Sequence, residues 1–512
     1  MNVLFDGLFE NASTGAVFAR IPEKTGERAL DYAAALGLAA RFANVLVGLG
    51  VKPGDRVAVQ VPKSIEALVL YLGTVQVGAV FLPLNTAYTV SEIRYFLEDA
   101  SPRVFVCDPR SEDAYRGLAE ELGIELQSLG VSAGGLDKDP SGTLAVLAAS
   151  SSDAFSTVAR AGDDLAAILY TSGTTGRSKG AMLTHDNLLS NARSLVGYWQ
   201  FSPSDVLIHA LPIFHTHGLF VATNVILLSG ASMIFLPGFD ADRIFEHLPH
   251  ATSLMGVPTF YTRLLDDPRL DRRATAHMRL FVSGSAPLLA ETHVQFEKRT
   301  GQRILERYGM TETNMNTSNP YEGERRAGTV GFPLPGVELR IADPDTGEEL
   351  AGGDVGVIEV RGPNVFCGYW NMPEKTREEF RGDGFFITGD LGMIDDKGYV
   401  NIVGRAKDLI ISGGYNIYPK ELELLIDDEP GVLESAVIGI PHHDFGEGVV
   451  AVVVPGKGAD IDEESLISSL SGRVARFKQP KRIMIVEALP RNTMGKVQKN
   501  VLREDFKSLF SG

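Results

Sequence analysis

Several short stretches carry residues able to do chemistry. The densest is "YTSGTTGRSKG", which places Thr171, Ser172, Thr174, Thr175 and Ser178 among Gly173 and Gly176 and follows them with Lys179. Glycines let backbone N–H groups approach phosphate oxygens, hydroxyls donate further bonds, and a lysine adds charge. The stretch departs from the Walker pattern, because Ser178 precedes the lysine and no Ser or Thr follows it. "LAAILYTSG" enters as a strand and "GAMLT" leaves as another, with helix signals beginning at Thr184, a suitable N-cap. The expected motif is therefore strand–loop–strand. As an isolated turn it would be merely polar; its hydroxyl density beside Lys179 favours a phosphate ligand.

Further along, "ERYGMTET" groups Tyr308, Thr311 and Glu312. A hard cation bridging phosphates needs such a carboxylate, although alone the segment reads equally as a capped helix start. "MIDDKGYV" is a turn between two strands, and pairing outward sets residue 390 near 403, so Asp390 and Arg405 should share one hairpin end. Lys496 ends "PRNTMGK", a loop tip before the last helix, where an ammonium can meet developing negative charge. His209, His215 and His217 have a spacing that matches no common zinc site, and buried hydrogen-bonded imidazoles suit them better. Arg263 and Arg307 lie close to strand ends; a buried arginine needs a carboxylate, from a substrate or from a neighbour such as Glu306.

The elements that must hold these residues alternate strand and helix from about 30 to 320: "RVAVQVP", "SIEALVLYLGTVQ", "AVFLPLN", "RVFVCDP", "DVLIHALP", "TSLMGVP", "MRLFVSGSAPL". That order implies doubly wound α/β sheets. The expected architecture is a large N-terminal domain, 1–405, of two such subdomains (about 1–160 and 161–320) plus a small antiparallel β unit (321–405). A small, mobile α+β domain, 406–512, follows. The apolar runs Ala67–Leu84 and Val206–Phe239 carry Gly, Pro and His, and read as a helix plus a buried strand rather than membrane spans. A net charge of −17 argues against nucleic acid or an anionic membrane as main partner, so anionic substrates would need local positive charge. Cys107 and Cys367 lack metal or redox spacing, and no leader or lipidation motif is visible, which suits a cytoplasmic protein.

"YTSGTTGRSKG", "ERYGMTET", "ITGD", "GRAKDLIISGGYNIYPKELE" and "PRNTMGK" stand in the order and spacing of the acyl-adenylate-forming enzymes, and the chain resembles that superfamily throughout. Within it the sequence is most similar to malonyl-CoA and methylmalonyl-CoA synthetases. The resemblance implies an acid–CoA ligase using ATP, Mg²⁺ and coenzyme A through an acyl-AMP intermediate. It implies Thr171 to Gly176 and Lys179 at the phosphates, and Ser285, Ala286, Tyr308, Gly309 and Thr311 around the nucleotide. Glu312 would hold the metal, Asp390 and Arg405 the ribose, and Lys496 the adenylation transition state. Lys407 would be the hinge, with Asp408 second to it, and Gly413 and Gly414 would line the pantetheine tunnel. Arg476 and Lys478 are candidates for the nucleotide end of CoA. His215 would line the acyl pocket, Thr216 and Met315 would limit its size, and Arg263, Ser285 and Arg307 would grip the distal carboxylate of a small dicarboxylic acid. Lys496 would be the target of a lysine acetyltransferase and deacetylase. Competing expectations are a general short- or medium-chain acyl-CoA ligase, an adenylation module loading a carrier protein, and a non-catalytic nucleotide-binding relative.

Overall fold

The computed structural model describes residues 1–23, 26–171, 178–412, 415–471, 473–492 and 495–510. The chain forms two compact units, Met1–Glu338 with Arg361–Phe386, and Leu339–Val360 with Ile387–Gly512. By packing, therefore, much of the β-rich stretch expected to close the N-terminal domain groups with the C-terminal residues.

The first unit holds two large sheets. One has six strands; Arg56–Gln60 lies inside it with Val80–Pro83 and Val104–Cys107 on either side, all parallel. The other has nine, and Val206–His209 lies between Ser232–Phe235 and Ser253–Gly256. In each, successive strands are laid to opposite sides of a starting strand, and that reversal opens a crevice at the carboxyl ends. The sheets are not the consecutive stretches 1–160 and 161–320. The hairpin Leu165–Thr171/Lys179–Thr184 completes the six-stranded sheet, and the N-terminal strands Val17–Glu23 and Gly26–Asp31 complete the nine-stranded one.

The run Ala67–Leu84 folds as a helix plus strand, as expected, while Val206–Phe239 holds two strands, Val206–His209 and Ser232–Phe235, on either side of the helix Thr223–Ser229. Helix Ile65–Val77, capped by Ser64, is buried on every face. Tyr71 packs against Phe81 of the six-stranded sheet and Phe220 beside the nine-stranded one, with ring centres 5.4 and 5.7 Å away. A helix between two sheets has no solvent face, which explains why its sequence lacks a polar stripe. No helix among the described residues is long and apolar enough to cross a membrane.

The second unit contains a four-stranded sheet built on Phe386–Ile394 and Val400–Arg405. Its other sheet has five strands around the pair Val432–His442/Gly446–Pro455. The last helix, Lys499–Asp505, buries Leu502 in an apolar cluster with Val450, Val452 and Leu489. Cys107 and Cys367 are free thiols.

Candidate active site

The strand–loop–strand expectation holds: Leu165–Thr171 runs antiparallel to Lys179–Thr184, with Thr171 opposite Lys179 at the mouth of the loop. Thr184 caps the following helix, its hydroxyl accepting from the Asn187 N–H while the Asn187 side chain accepts from the Thr184 N–H. Ser172, Gly173, Thr174, Thr175 and Gly176 lie outside the described residues. Lys179 is engaged: its Nζ is 2.8 Å from Glu379 and 4.1 Å from the Tyr369 ring centre. The Tyr369 hydroxyl lies 2.5 Å from Glu379 and 3.1 Å from Glu312. Burial alone would raise the Glu379 pKa, but bonds from Lys179 and Tyr369 hold it below its ordinary value. Tyr369 and Glu379, which no motif marked, thus join Lys179 to the buried Glu312 carboxylate. A hard oxygen donor at that depth fits a magnesium ion coordinated mainly by phosphate and water.

Ile304–Met310 runs parallel to Leu280–Ser283, then turns at Thr311–Thr313 and pairs with Asn314–Ser318. Tyr308, Gly309 and Thr311 are half-buried around this turn, and Met315 is buried. Arg307 stands at the carboxyl end, 3% exposed. Its Nε and Nη2 are buried with no hydrogen-bond partner. One oxygen of the neighbouring carboxylate is engaged elsewhere, Glu306 Oε1 accepting the Leu288 N–H at 3.1 Å. Burial pulls the Arg307 pKa down to about 9, against smaller upward effects of Tyr261 and Glu306. Gly284 makes room: a Cβ there would lie 2.3 Å from the guanidinium carbon.

Other unsatisfied groups gather on the neighbouring strand ends and the loop after His209. His215 Nε2, Thr216 Oγ1, His217 Nε2 and Ser283 Oγ are buried without partners. Burial lowers the His215 pKa to about 4, and burial followed by Arg307, His209 and His215 holds His217 well below its usual value. Both rings are neutral near pH 7. Ser285, at φ +73°, sits in the left-handed region, with Oγ 3.3 Å from His217 Nδ1. Such strain at a non-glycine residue gathers at functional sites. Ala286 follows it, half-buried. Arg263 is placed differently from Arg307: it is exposed in the last turn of helix Pro258–Leu265, 5.5 Å from the Phe239 ring centre. His209, His215 and His217 form no metal-holding group among the described residues; His209 instead bonds to Lys63 and Gly218.

In the second unit Asp390 lies opposite Arg405 rather than 403: pairing from Ile394–Val400 alone would reach 404, and a bulge between Leu391 and Gly392 adds the last residue. The pair closes at 2.6 Å, with Asp390 4% exposed. Lys407 is exposed in the turn Ala406–Asp408, while Asp408 is tied to Arg503 at 2.8 Å. Lys496 is exposed; its N–H donates to Asn492 Oδ1 at 2.9 Å and its carbonyl accepts the Asn492 N–H at 3.0 Å. Lys478 is committed to Glu421 at 2.7 Å, whereas Arg476 is exposed. Gly413 and Gly414 lie outside the described residues.

A model of the AMP-binding enzyme family matches residues 12–370, and one of the AMP-binding enzyme C-terminal domain matches 421–496. The chain therefore belongs to the AMP-binding enzymes and is an AMP-forming CoA ligase. Over 99% of both chains it is 59% identical to ATP-bound MatB from Rhodopseudomonas palustris, with a TM-score of 0.95. It is 35% identical to a malonate–CoA ligase of Arabidopsis thaliana, over 90% of this chain and 79% of that protein. It is also 36% identical to a sulfoacetate–CoA ligase of Cupriavidus necator, over 88% and 87%.

Proposed function

We propose that the protein joins malonate to coenzyme A at the expense of ATP, giving malonyl-CoA, AMP and pyrophosphate, with methylmalonate as a second substrate. The observation that carries this reading is the buried Arg307 guanidinium, its Nε and Nη2 without partners, among neutral imidazoles and unsatisfied hydroxyls. Removing one partner of a buried ion pair costs about 3–5 kcal/mol, so a site built this way favours a ligand that brings a carboxylate. A monocarboxylic acid spends its only charge at the phosphate and leaves Arg307 unpaired. A dicarboxylic acid supplies both.

In the first half-reaction a carboxylate oxygen attacks the α-phosphorus and the bond to pyrophosphate breaks. Thr311 is assigned to the α-phosphate, Tyr308, Ser285, Ala286 and Gly309 to the adenosine and its surroundings, and Asp390 with Arg405 to the ribose hydroxyls. Lys179 is assigned to the phosphates, exchanging Glu379 for phosphate oxygen. Glu312 would hold the magnesium ion, which supplies charge neutralisation on the phosphates. Lys496 adds a cation where negative charge builds between carboxylate and α-phosphate. In the second half-reaction the CoA sulfur bonds to the acyl carbon and AMP leaves. The C-terminal domain turns between the two about Lys407, and Gly413 and Gly414 leave space for the pantetheine arm. Arg307, Ser285 and His215 face the acid, Thr216 and Met315 limit its α-substituent, and Arg263 stands at the rim. The reading includes a cytoplasmic location and control by acetylation of Lys496.

The test is pyrophosphate release with malonate, methylmalonate, sulfoacetate, acetate, octanoate and benzoate, with and without CoA. Malonate should exceed each monocarboxylate in kcat/KM by at least about 30-fold, the equivalent of roughly 2 kcal/mol. Faster turnover of acetate or octanoate would make it a general acyl-CoA ligase, and AMP release dependent on a carrier protein rather than CoA would make it a loading module.

A further inference from the structure

Lys63 follows strand Arg56–Gln60, immediately before Ser64, the N-cap of helix Ile65–Val77. It lies in none of the motifs, yet it spans from the six-stranded sheet to the nine-stranded one. Its Nζ donates to His209 Nδ1 at 3.0 Å and to the His209 carbonyl at 2.8 Å, and rests 4.4 Å from the Phe235 ring centre. Among the described residues no carboxylate lies within ion-pair distance of it. Burial holds its pKa well below the usual lysine value, and burial followed by Lys63 does the same to His209.

This arrangement dictates a tautomer. A neutral imidazole has one donor and one acceptor nitrogen. The Gly218 carbonyl oxygen, 2.9 Å from Nε2, can only accept, so the proton must sit on Nε2 and Nδ1 is left to accept from Lys63. Thr223 Oγ1 donates to the same oxygen at 3.0 Å. Gly218 is the second residue of a π-helical turn, His217–Ala222, a rare geometry that recurs at functional sites. It is packed so closely that a Cβ would lie 2.0 Å from the Pro212 carbonyl oxygen. Immediately before it stand His217, which meets Ser285, and Thr216, whose hydroxyl is buried and unsatisfied.

We propose that Lys63 is a positioning residue for acid binding: by donating to His209 Nδ1 it fixes the tautomer that holds the Gly218 carbonyl, and so keeps Thr216 and His217 in register beside Arg307. Without that donor His209 is free to place its proton on Nδ1, and Nε2 then faces the Gly218 oxygen as a second acceptor. The proposal rests on reading Thr216, His217 and Arg307 as the acid's surroundings, but its first readout needs no substrate.

The experiment uses the full-length protein with ¹⁵N-labelled histidine. In the unmutated protein His209, identified by loss of its signal in His209→Gln, should carry its proton on Nε2; a proton on Nδ1 would overturn the proposal without any variant of Lys63. Lys63→Met should move that proton or mix the tautomers, and raise KM for malonate about tenfold, the worth of one well-made hydrogen bond, while KM for ATP stays within about twofold. Lys63→Arg, which keeps a donor, should restore much of the loss. In a His209→Gln background the side-chain amide can donate to Gly218 without help, so Lys63→Met should have little further effect there. Additive losses in the double variant, or parallel shifts in both KM values, would overturn the positioning role. If malonate is not a substrate but the tautomer responds as expected, the functional assignment fails and the role of Lys63 at His209 stands.

Discussion

Replacing Arg307 by methionine should make the ligand-free protein more stable and the enzyme much worse. The side chain is 3% exposed, and burial lowers its pKa from the ordinary arginine value to about 9. At roughly 1.4 kcal/mol per decade, that drop is worth several kcal/mol against the charged form. The sign follows from the direction: a base whose folded-state pKa is lowered penalises folding while it is charged. The penalty is full below about pH 9 and fades as the pH rises further towards the ordinary arginine value. Methionine fills similar space without charge, and swaps of buried charge for apolar side chains stabilise by about 1–4 kcal/mol in favourable cases. Catalysis should move the other way. Removing the partner of a buried substrate carboxylate costs about 2–5 kcal/mol, or roughly 30- to several-thousand-fold in kcat/KM for malonate. Thermal or denaturant melting without ligand, together with pyrophosphate release on malonate and acetate, checks both halves. A malonate kcat/KM within threefold of the unmutated enzyme would remove Arg307 from the acid site. A clear loss of ligand-free stability would show instead that the guanidinium makes structural bonds.

Gly284→Ala probes the same group from behind. Its Cβ would lie 2.3 Å from the guanidinium carbon, so Arg307 must shift, and KM for malonate should rise about tenfold or more while KM for ATP holds. Lys496→Ala should reduce malonate-dependent pyrophosphate release by about 10²–10³-fold, and normal release would assign the adenylation cation elsewhere. Asp390→Asn weakens the 2.6 Å pair with Arg405 and should raise KM for ATP more than KM for malonate; the reverse order would take the pair away from the ribose.

The chemistry-bearing stretches were legible because each is local. A glycine- and hydroxyl-rich turn between two apolar runs has few other ways to fold, and the hairpin closing Thr171 onto Lys179 follows from the run lengths alone. Thr184 caps a helix because its own side chain reaches the helix's first amides. The approach of Asp390 to Arg405 was legible too, though not its register: a bulge inserts one residue without changing the apolar pattern, so counting outward stops short of 405.

What only the tertiary structure decided was which of these residues lose water. Arg263 and Arg307 look alike as letters near strand ends. One lies on an exposed helical turn and the other is enclosed between strands against Gly284, and desolvation sets their chemistry apart. Lys63 and His209, 146 positions apart, meet where the two sheets approach, and Lys179 and Glu379, 200 apart, meet because the Gly368–Trp370 stretch pairs back onto the strand Lys179–Thr184. Sequence records which side chains can carry a charge; the packing of sheet on helix determines where a charge is left without a partner, and so what the protein must bind.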